Sequence, residues 1–195
     1  AAISEADRAI IVGAMEYVPA AQIDSVLEDG YVHPWTMVQK GEKWRACHDY
    51  KCGTNRYVAP SPFELPTVWD AVVELPRGAF MSKYDLRDGF WHCPVAAGSR
   101  RRLMMRHPGT GRLMWPLRLP FGYAESPLLF CSMTEAIAQR FRERMAGQGV
   151  VIFCFVDDYL LQGESKEALA RGGRVLEEIF EEFGLAWAPH KFRGP

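Results

Sequence analysis

The apolar run Val150-Val151-Ile152-Phe153-Cys154-Phe155-Val156 ends on two adjacent carboxylates, Asp157-Asp158, and resumes as Tyr159-Leu160-Leu161. Such a run reads as a buried strand or hairpin, where an unneutralised carboxylate is costly and an adjacent pair costlier still. Relief comes from solvent at a strand end, a basic partner or a bound cation. Asp is also a common turn residue, so a hairpin tip and a cation site both stay open for this pair at this point.

A chain of 195 residues can bury a real core in one domain or one and a half. Its 48% apolar content and six tryptophans argue against a disordered chain. With 23 Lys and Arg against 24 Asp and Glu, net charge neither announces nor excludes nucleic acid, because a local basic face suffices. The five cysteines, at 47, 52, 93, 131 and 154, are odd in number and scattered. They read as reduced, packed thiols of an intracellular protein, cytoplasmic or nuclear. No apolar run reaches about 18 residues and no basic segment precedes a hydrophobic one at the N-terminus, so neither a membrane nor export is expected. The chain begins without Met and stops at Arg193-Gly194-Pro195, which reads as a piece of something longer.

Ser4-Glu5-Ala6-Asp7 resembles a capping arrangement ahead of Ile10, Ile11, Ala14 and Met15 at helical spacing. A second short helix is expected from about Ala20 to Glu28, between Pro19 and Gly30. Residues 35–39 and 43–47 read as a hairpin with Lys40-Gly41-Glu42 at its tip. The stretch from Ala59 to Pro66 is a connector leading to a short helix through Val68, Val72 and Val73. Residues 80–86 are strand-like, and a second hairpin flanks Pro108-Gly109-Thr110-Gly111. Phe130, Met133, Ile137, Phe141 and Met145 form the stripe of a long helix, with Ser126 as its N-cap and Pro127 in its first position. Ser165 caps a helix carrying Leu169, Leu176, Ile179, Phe180 and Phe183, and a strand-like piece includes Leu185 and Trp187. The order predicts an α+β layer, an antiparallel sheet with helices on one face.

Asp85 closes a strand-like run much as Asp157 does. Two such strands side by side would gather Asp85, Asp157 and Asp158, hard oxygen ligands suited to Mg²⁺ or Mn²⁺. Salt-bridged structural acids are the alternative. The Cys/His content lacks zinc-ligand spacing.

Several segments together resemble the fingers and palm of a reverse transcriptase, of the kind in long-terminal-repeat or tyrosine-recombinase retroelements. Phe155-Val156-Asp157-Asp158 resembles the family's aromatic-x-Asp-Asp motif, and residues 80–90 the strand bearing its first catalytic aspartate. Residues 119–130, from Leu119-Pro120-Phe121-Gly122, resemble its loop-and-helix motif. Residues 43–51 resemble the fingers strand, and Gly184-Leu185 leading to Lys191 the last palm motif. The five occur in the family's order over residues 31–192.

The resemblance implies a right-hand polymerase arrangement: a helical lead-in over 1–30, fingers over 31–79, palm over 80–97, a fingers hairpin over 98–118 and palm over 119–195. It implies a thumb and a ribonuclease H segment beyond this chain, the thumb being missing from it. It implies RNA-directed DNA synthesis with two Mg²⁺ or Mn²⁺ ions, a primer–template and deoxynucleoside triphosphates. Asp85 and Asp157 resemble the principal metal ligands and Asp158 a supporting one. Phe90 resembles the steric gate against a ribose 2′-hydroxyl, and a core aromatic is its other reading. Arg45 resembles the residue gripping the triphosphate, with Lys40 a second contact. Phe121 resembles the brace of the sugar, with Gly122 permitting close approach, and Lys191 the general acid for pyrophosphate. Arg100, Arg101 and Arg102 are candidates for template phosphates, or a solvated basic hairpin.

The chain departs from the family at Asp49-Tyr50-Lys51-Cys52-Gly53-Thr54-Asn55, which has Lys for Arg and one extra residue, and at Phe155, which replaces Tyr. Two rivals differ in class. One is an inactive or domesticated retroelement remnant acting as a nucleic-acid-binding or scaffold module. The other is an RNA-templated RNA polymerase, against which Phe90 and Phe121-Gly122 argue.

Overall fold

The structure, a computed structural model, describes residues 1–59, 61–65, 67–73 and 78–195, without the side chains of residues 40, 43–46, 68 and 71. Along the chain run α1 (Ala2–Ile11), β1 (Met15–Tyr17), α2 (Ile23–Asp29), β2 (Val32–His33), β3 (Trp35–Lys40), β4 (Lys43–His48) and α3 (Val68–Val73). There follow β5 (Phe80–Asp85), α4 (Ala97–Arg100), β6 (Met104–Arg106), β7 (Leu113–Pro116) and α5 (Ser126–Arg144). The last elements are β8 (Val150–Phe155), β9 (Asp158–Gly163), α6 (Lys166–Glu182) and a 3₁₀ turn at Pro189–Lys191. The chain divides into two compact units, Ala1–Ser61 with Phe90–Pro127 and Pro62–Gly89 with Leu128–Pro195.

In the second unit, β5, β9 and β8 form an antiparallel sheet with β9 at its centre. Period-2 alternation decides its faces. Ser82, Tyr84, Ile152, Cys154, Tyr159 and Leu161 are buried, while Met81, Val151 and Phe155 are exposed. Tyr159 meets both backing helices: its ring lies 5.3 Å from that of Phe180 on α6, and its hydroxyl donates to the Thr134 carbonyl on α5. The expected apolar stripes are the buried faces, with Phe130, Ile137, Phe141, Leu176, Ile179 and Phe180 at 0–1% exposure. Gly173 lets α6 lie close to the sheet, because a Cβ there would stand 2.4 Å from the Tyr84 hydroxyl. Ser165 caps α6 as expected, accepting from the Ala168 amide at 3.1 Å.

In the first unit, β1, β7, β6 and β2 form a sheet that is antiparallel except for the parallel pair β2–β6. It packs on a small core of Val18, Val26, Met104 and Leu113. The hairpin β3–β4 pairs separately, from Trp35 opposite His48 to Lys40 opposite Lys43. Burial lowers the pKa of His33 and, with His33 nearby, pushes His48 down to about 4, so both sit in the fold as neutral rings.

Five local expectations are corrected. Helix α1 starts at Ala2 with no side-chain cap, so Ser4 lies inside its first turn, and Met15 belongs to β1 rather than to the helix. Helix α5 begins at Ser126 itself rather than after it, and Ser126 is buried with its hydroxyl donating to the Pro120 carbonyl at 2.8 Å. Phe183 is the C-cap of α6 and is 48% exposed, outside the stripe. The piece around Trp187 makes single bridges, Leu86 with Trp187 and Lys83 with Arg193, and not a full strand.

Candidate active site

The β8–β9 hairpin turns over two residues, Val156 and Asp157, with Phe155 opposite Asp158. Val156 takes φ 57° and Asp157 is not among the positive-φ residues. Those signs are what a type II′ hairpin turn needs, where glycine is the usual first residue. A β-branched residue there is strained, by roughly 1–2 kcal/mol. The turn reading and the site reading of the acidic pair therefore coincide: Asp157 is a turn residue, and the turn is a strained one.

Strand pairing then brings in the distant carboxylate. Asp85 ends β5 directly opposite Asp158, the first residue of β9. The Leu86 amide donates to the Asp157 carbonyl at 2.9 Å, which fixes the turn against the end of β5. The Ala188 amide donates to the Asp85 carbonyl at 2.8 Å and the Arg87 amide to that of Ala186, so the C-terminal segment is laced to the same strand end. That lacing delivers Lys191.

Asp85, Asp157, Asp158 and Lys191 thus come together within one unit. Lys191 Nζ donates to Asp85 Oδ1 at 2.6 Å, and Lys83 Nζ stands 2.8 Å from Asp158 Oδ2. Burial raises the pKa of Asp157, and the charges of Asp158 and Asp85 push it the same way against its own backbone hydrogen bond and Lys191. The hydrogen bond to Asp85, joined by the charge of the same acid, raises the pKa of Lys191. Asp158 Oδ1 is buried without a hydrogen-bond partner. Among the described residues, no three His, Cys, Asp or Glu side chains form a group poised to hold a metal. The carboxylates are instead compensated by ammonium groups. Their all-oxygen donor set and the unpartnered Asp158 Oδ1 fit a hard divalent cation such as Mg²⁺ or Mn²⁺.

In the other unit, the rings of Phe90 and Phe121 stack with centroids 5.0 Å apart at 29°, and Trp91 meets Phe121 edge-on. Phe121 is 45% exposed. Gly122 has φ 91°, and a Cβ there would come 2.6 Å from the His48 carbonyl oxygen, so no other residue fits. Asn55 brackets this loop: its Nδ2 donates to the Gly122 carbonyl at 2.8 Å and its Oδ1 accepts from the Ala124 amide at 3.0 Å. Of the three arginines, Arg100 pairs with Glu16 and Arg101 with Asp29. Arg102 makes no ion pair with the described residues. The side chains of Lys40 and Arg45 lie outside the described residues.

Sequence reasoning missed two participants. Lys83 lies two residues before Asp85, so it shares the face of β5 that Asp85 uses, and strand periodicity would have found it. Asn55 lies in the segment that departs from the family by one extra residue, yet its amide does the positioning.

The family profile described as reverse transcriptase (RNA-dependent DNA polymerase) matches residues 38–194, and the chain belongs to that family. It is 27% identical to the Gag-Pro-Pol polyprotein of Simian retrovirus SRV-2 over 90% of this chain and 11% of that one. It is 28% identical to the retrovirus-related Pol polyprotein from transposon 412 of Drosophila melanogaster over 77% of this chain and 11% of that one. The chain therefore spans about a tenth of these relatives. In fold it is similar to the foamy viral protease–reverse transcriptase dRH in complex with double-stranded DNA, with a TM-score of 0.75, 21% identity, and 95% of this chain and 30% of that one covered. The mixed α+β fold with a helix-backed sheet is that of reverse transcriptase fingers and palm.

Asp157 generates a pH test. Its folded pKa lies above its unfolded one, so the folded state holds this proton more tightly. The stability this contributes is complete below the unfolded carboxylate range and is lost as pH rises through the raised folded value. In chelator, Asp157→Asn should melt above the wild type at neutral pH, with the gap closing toward pH of about 3. Melting curves across pH check this; a variant that melts lower at neutral pH contradicts the burial of a charge at this turn.

Proposed function

We propose that the chain is the polymerising core of a reverse transcriptase, which extends a DNA primer on an RNA or DNA template from deoxynucleoside triphosphates. The carrying observation is the pairing of Asp85 opposite Asp158 beside the strained Val156-Asp157 turn, in a chain of this family. Residues 31–79 and 98–118 are assigned to the fingers, 80–97 and 119–195 to the palm, and 1–30 to a lead-in. The foamy viral structure carries double-stranded DNA on a similar fold, which supports a nucleic-acid partner.

Asp85 and Asp157 would hold two Mg²⁺ or Mn²⁺ ions with Asp158 in support. Such ions, when bound, polarise the primer 3′-hydroxyl and neutralise the triphosphate and departing pyrophosphate. The rest falls to the chain's own groups. Raised in pKa by Asp85, Lys191 keeps its Nζ proton at neutral pH and is assigned as proton donor to pyrophosphate. Phe90, supported by the stacked ring of Phe121, is a stiff wall where a 2′-hydroxyl would otherwise fit. Gly122 lets the sugar approach, in a loop held by Asn55. Arg45, with Lys40, is assigned to the triphosphate, since a guanidinium matches phosphate geometry. Arg100, Arg101 and Arg102 are assigned to nucleic-acid phosphates.

A second reading, a catalytically silent remnant that binds nucleic acid, draws on the lysines already compensating Asp85 and Asp158. Primer extension in Mg²⁺ separates the two. Asp85→Asn should abolish incorporation by at least a thousandfold while leaving the melting temperature near that of the wild type, since a vital electrostatic group is worth several kcal/mol in the transition state. Normal extension by this variant would end the mechanism. Phe90→Ala should admit ribonucleotides, read as the ratio of kcat/KM for dCTP over CTP; an unchanged ratio would remove the gate.

A further inference from the structure

Three carboxylates and two lysines meet at the acidic end of the β5–β9–β8 sheet, and they are paired unevenly. Lys191 Nζ holds Asp85 Oδ1 at 2.6 Å and Lys83 Nζ holds Asp158 Oδ2 at 2.8 Å, while Asp157 forms no ion pair among the described residues. Lys191 has the role of proton donor above; Lys83 has none. Its place in the sheet is exact in register: it sits opposite Leu160, two residues before Asp85, and therefore diagonal to Asp158. Diagonal neighbours stand roughly 7–8 Å apart at the backbone, a span that a lysine stem covers. On the other edge of β5 the Lys83 amide donates to the Arg193 carbonyl at 2.7 Å, and its own carbonyl accepts from the Arg193 amide at 3.3 Å. The backbone is held on both edges, so the ammonium is a tethered charge whose only freedom is that of its side chain.

The ion pair that this tether makes is easily displaced. The side chains of Lys83 and Asp158 are 44% and 35% exposed, so water screens their attraction. Asp158 meets the ammonium with Oδ2 alone, and its Oδ1 is buried without a hydrogen-bond partner. An unsatisfied buried oxygen takes back part of what the pair gains. A hard divalent cation is a stronger counter-ion than an ammonium and can be coordinated by one or both carboxylate oxygens.

We propose that Lys83 is a positioning residue that stands in for a divalent cation at Asp158: it holds this carboxylate until an ion displaces it, and so sets how tightly the site takes that ion. The proposal rests on the cation site of the polymerase reading and deepens it. It also gives Asp158 its supporting rank beside Asp157, which has no lysine to release.

Titration with Mn²⁺, followed by the electron paramagnetic resonance signal of the free ion and without nucleotide or primer, tests it. Lys83→Met keeps the stem and drops the charge, and should tighten Mn²⁺ binding by about fivefold; Lys83→Arg should stay at the wild-type affinity. The gain should shrink in the Asp158→Asn protein, where no carboxylate remains for the lysine to hold. An equal gain in that background makes Lys83 a general surface charge and overturns the proposal. Melting supplies a second readout of opposite signs. In chelator Lys83→Met should melt below the wild type, because Asp158 loses its counter-ion, and its upward shift on adding Mn²⁺ should be the larger of the two. Lys83→Gln carries the same expectations if the methionine variant does not fold. Unchanged or weaker Mn²⁺ binding in these variants, beside a wild type that binds the ion, overturns the role of Lys83 alone. A wild type that binds no Mn²⁺ overturns the cation reading together with it.

Discussion

Everything at the site depends on holding three carboxylates at one end of a three-stranded sheet. Asp85 faces Asp158 across the β5–β9 pair, and Asp157 follows from the turn. Burial penalises the charge on Asp157, and the like charges of Asp158 and Asp85 add to that penalty, which is where its raised pKa comes from. Lys191 on Asp85 and Lys83 on Asp158 offset part of that cost. Both lysines are about half exposed, so these pairs hold the acids in place without locking them. The strained Val156 belongs to the same design, because relaxing the turn would move Asp157 relative to the end of β5.

The second unit's sheet and helices exist to make that geometry stiff. Tyr159, the residue after Asp158, is wholly buried between Phe180 and the Thr134 carbonyl, so the acidic end of β9 is anchored one residue from the chemistry. In the first unit the loop that carries Phe121 is held by hydrogen bonds. Asn55 closes on both sides of Gly122, and the Ser126 hydroxyl holds Pro120, which leaves Phe121 projecting from a loop fixed on both flanks.

Much of this was legible in the chain. Hydrophobic periodicity located α5, α6 and the β8–β9 hairpin because burial on one face writes itself into spacing. The union of Asp85 with Asp157 and Asp158 was not legible from spacing. Two strand-like runs ending on acids left it as one open reading beside salt-bridged structural acids, the resemblance chose it, and strand pairing supplies its physical basis. Ser126 misled because a serine ahead of an apolar stripe marks a helix start only to within a residue, and here the helix begins at the serine itself. Lys83 was overlooked because a strand lysine is ordinarily solvated, although its place two residues before Asp85 puts it on the same face of β5. Asn55 was undervalued because an inserted residue shifts a motif in sequence without moving its amide in space.

The central proposal is that these three carboxylates take up a divalent cation. Paramagnetic broadening by Mn²⁺ reads it directly, in backbone amide spectra of the ¹⁵N-labelled protein. Broadening should begin at Leu86, Asp157 and Asp158, excess Mg²⁺ should reverse it, and Asp157→Asn should weaken it. Broadening that starts elsewhere, or that survives unchanged in Asp157→Asn, would contradict the account.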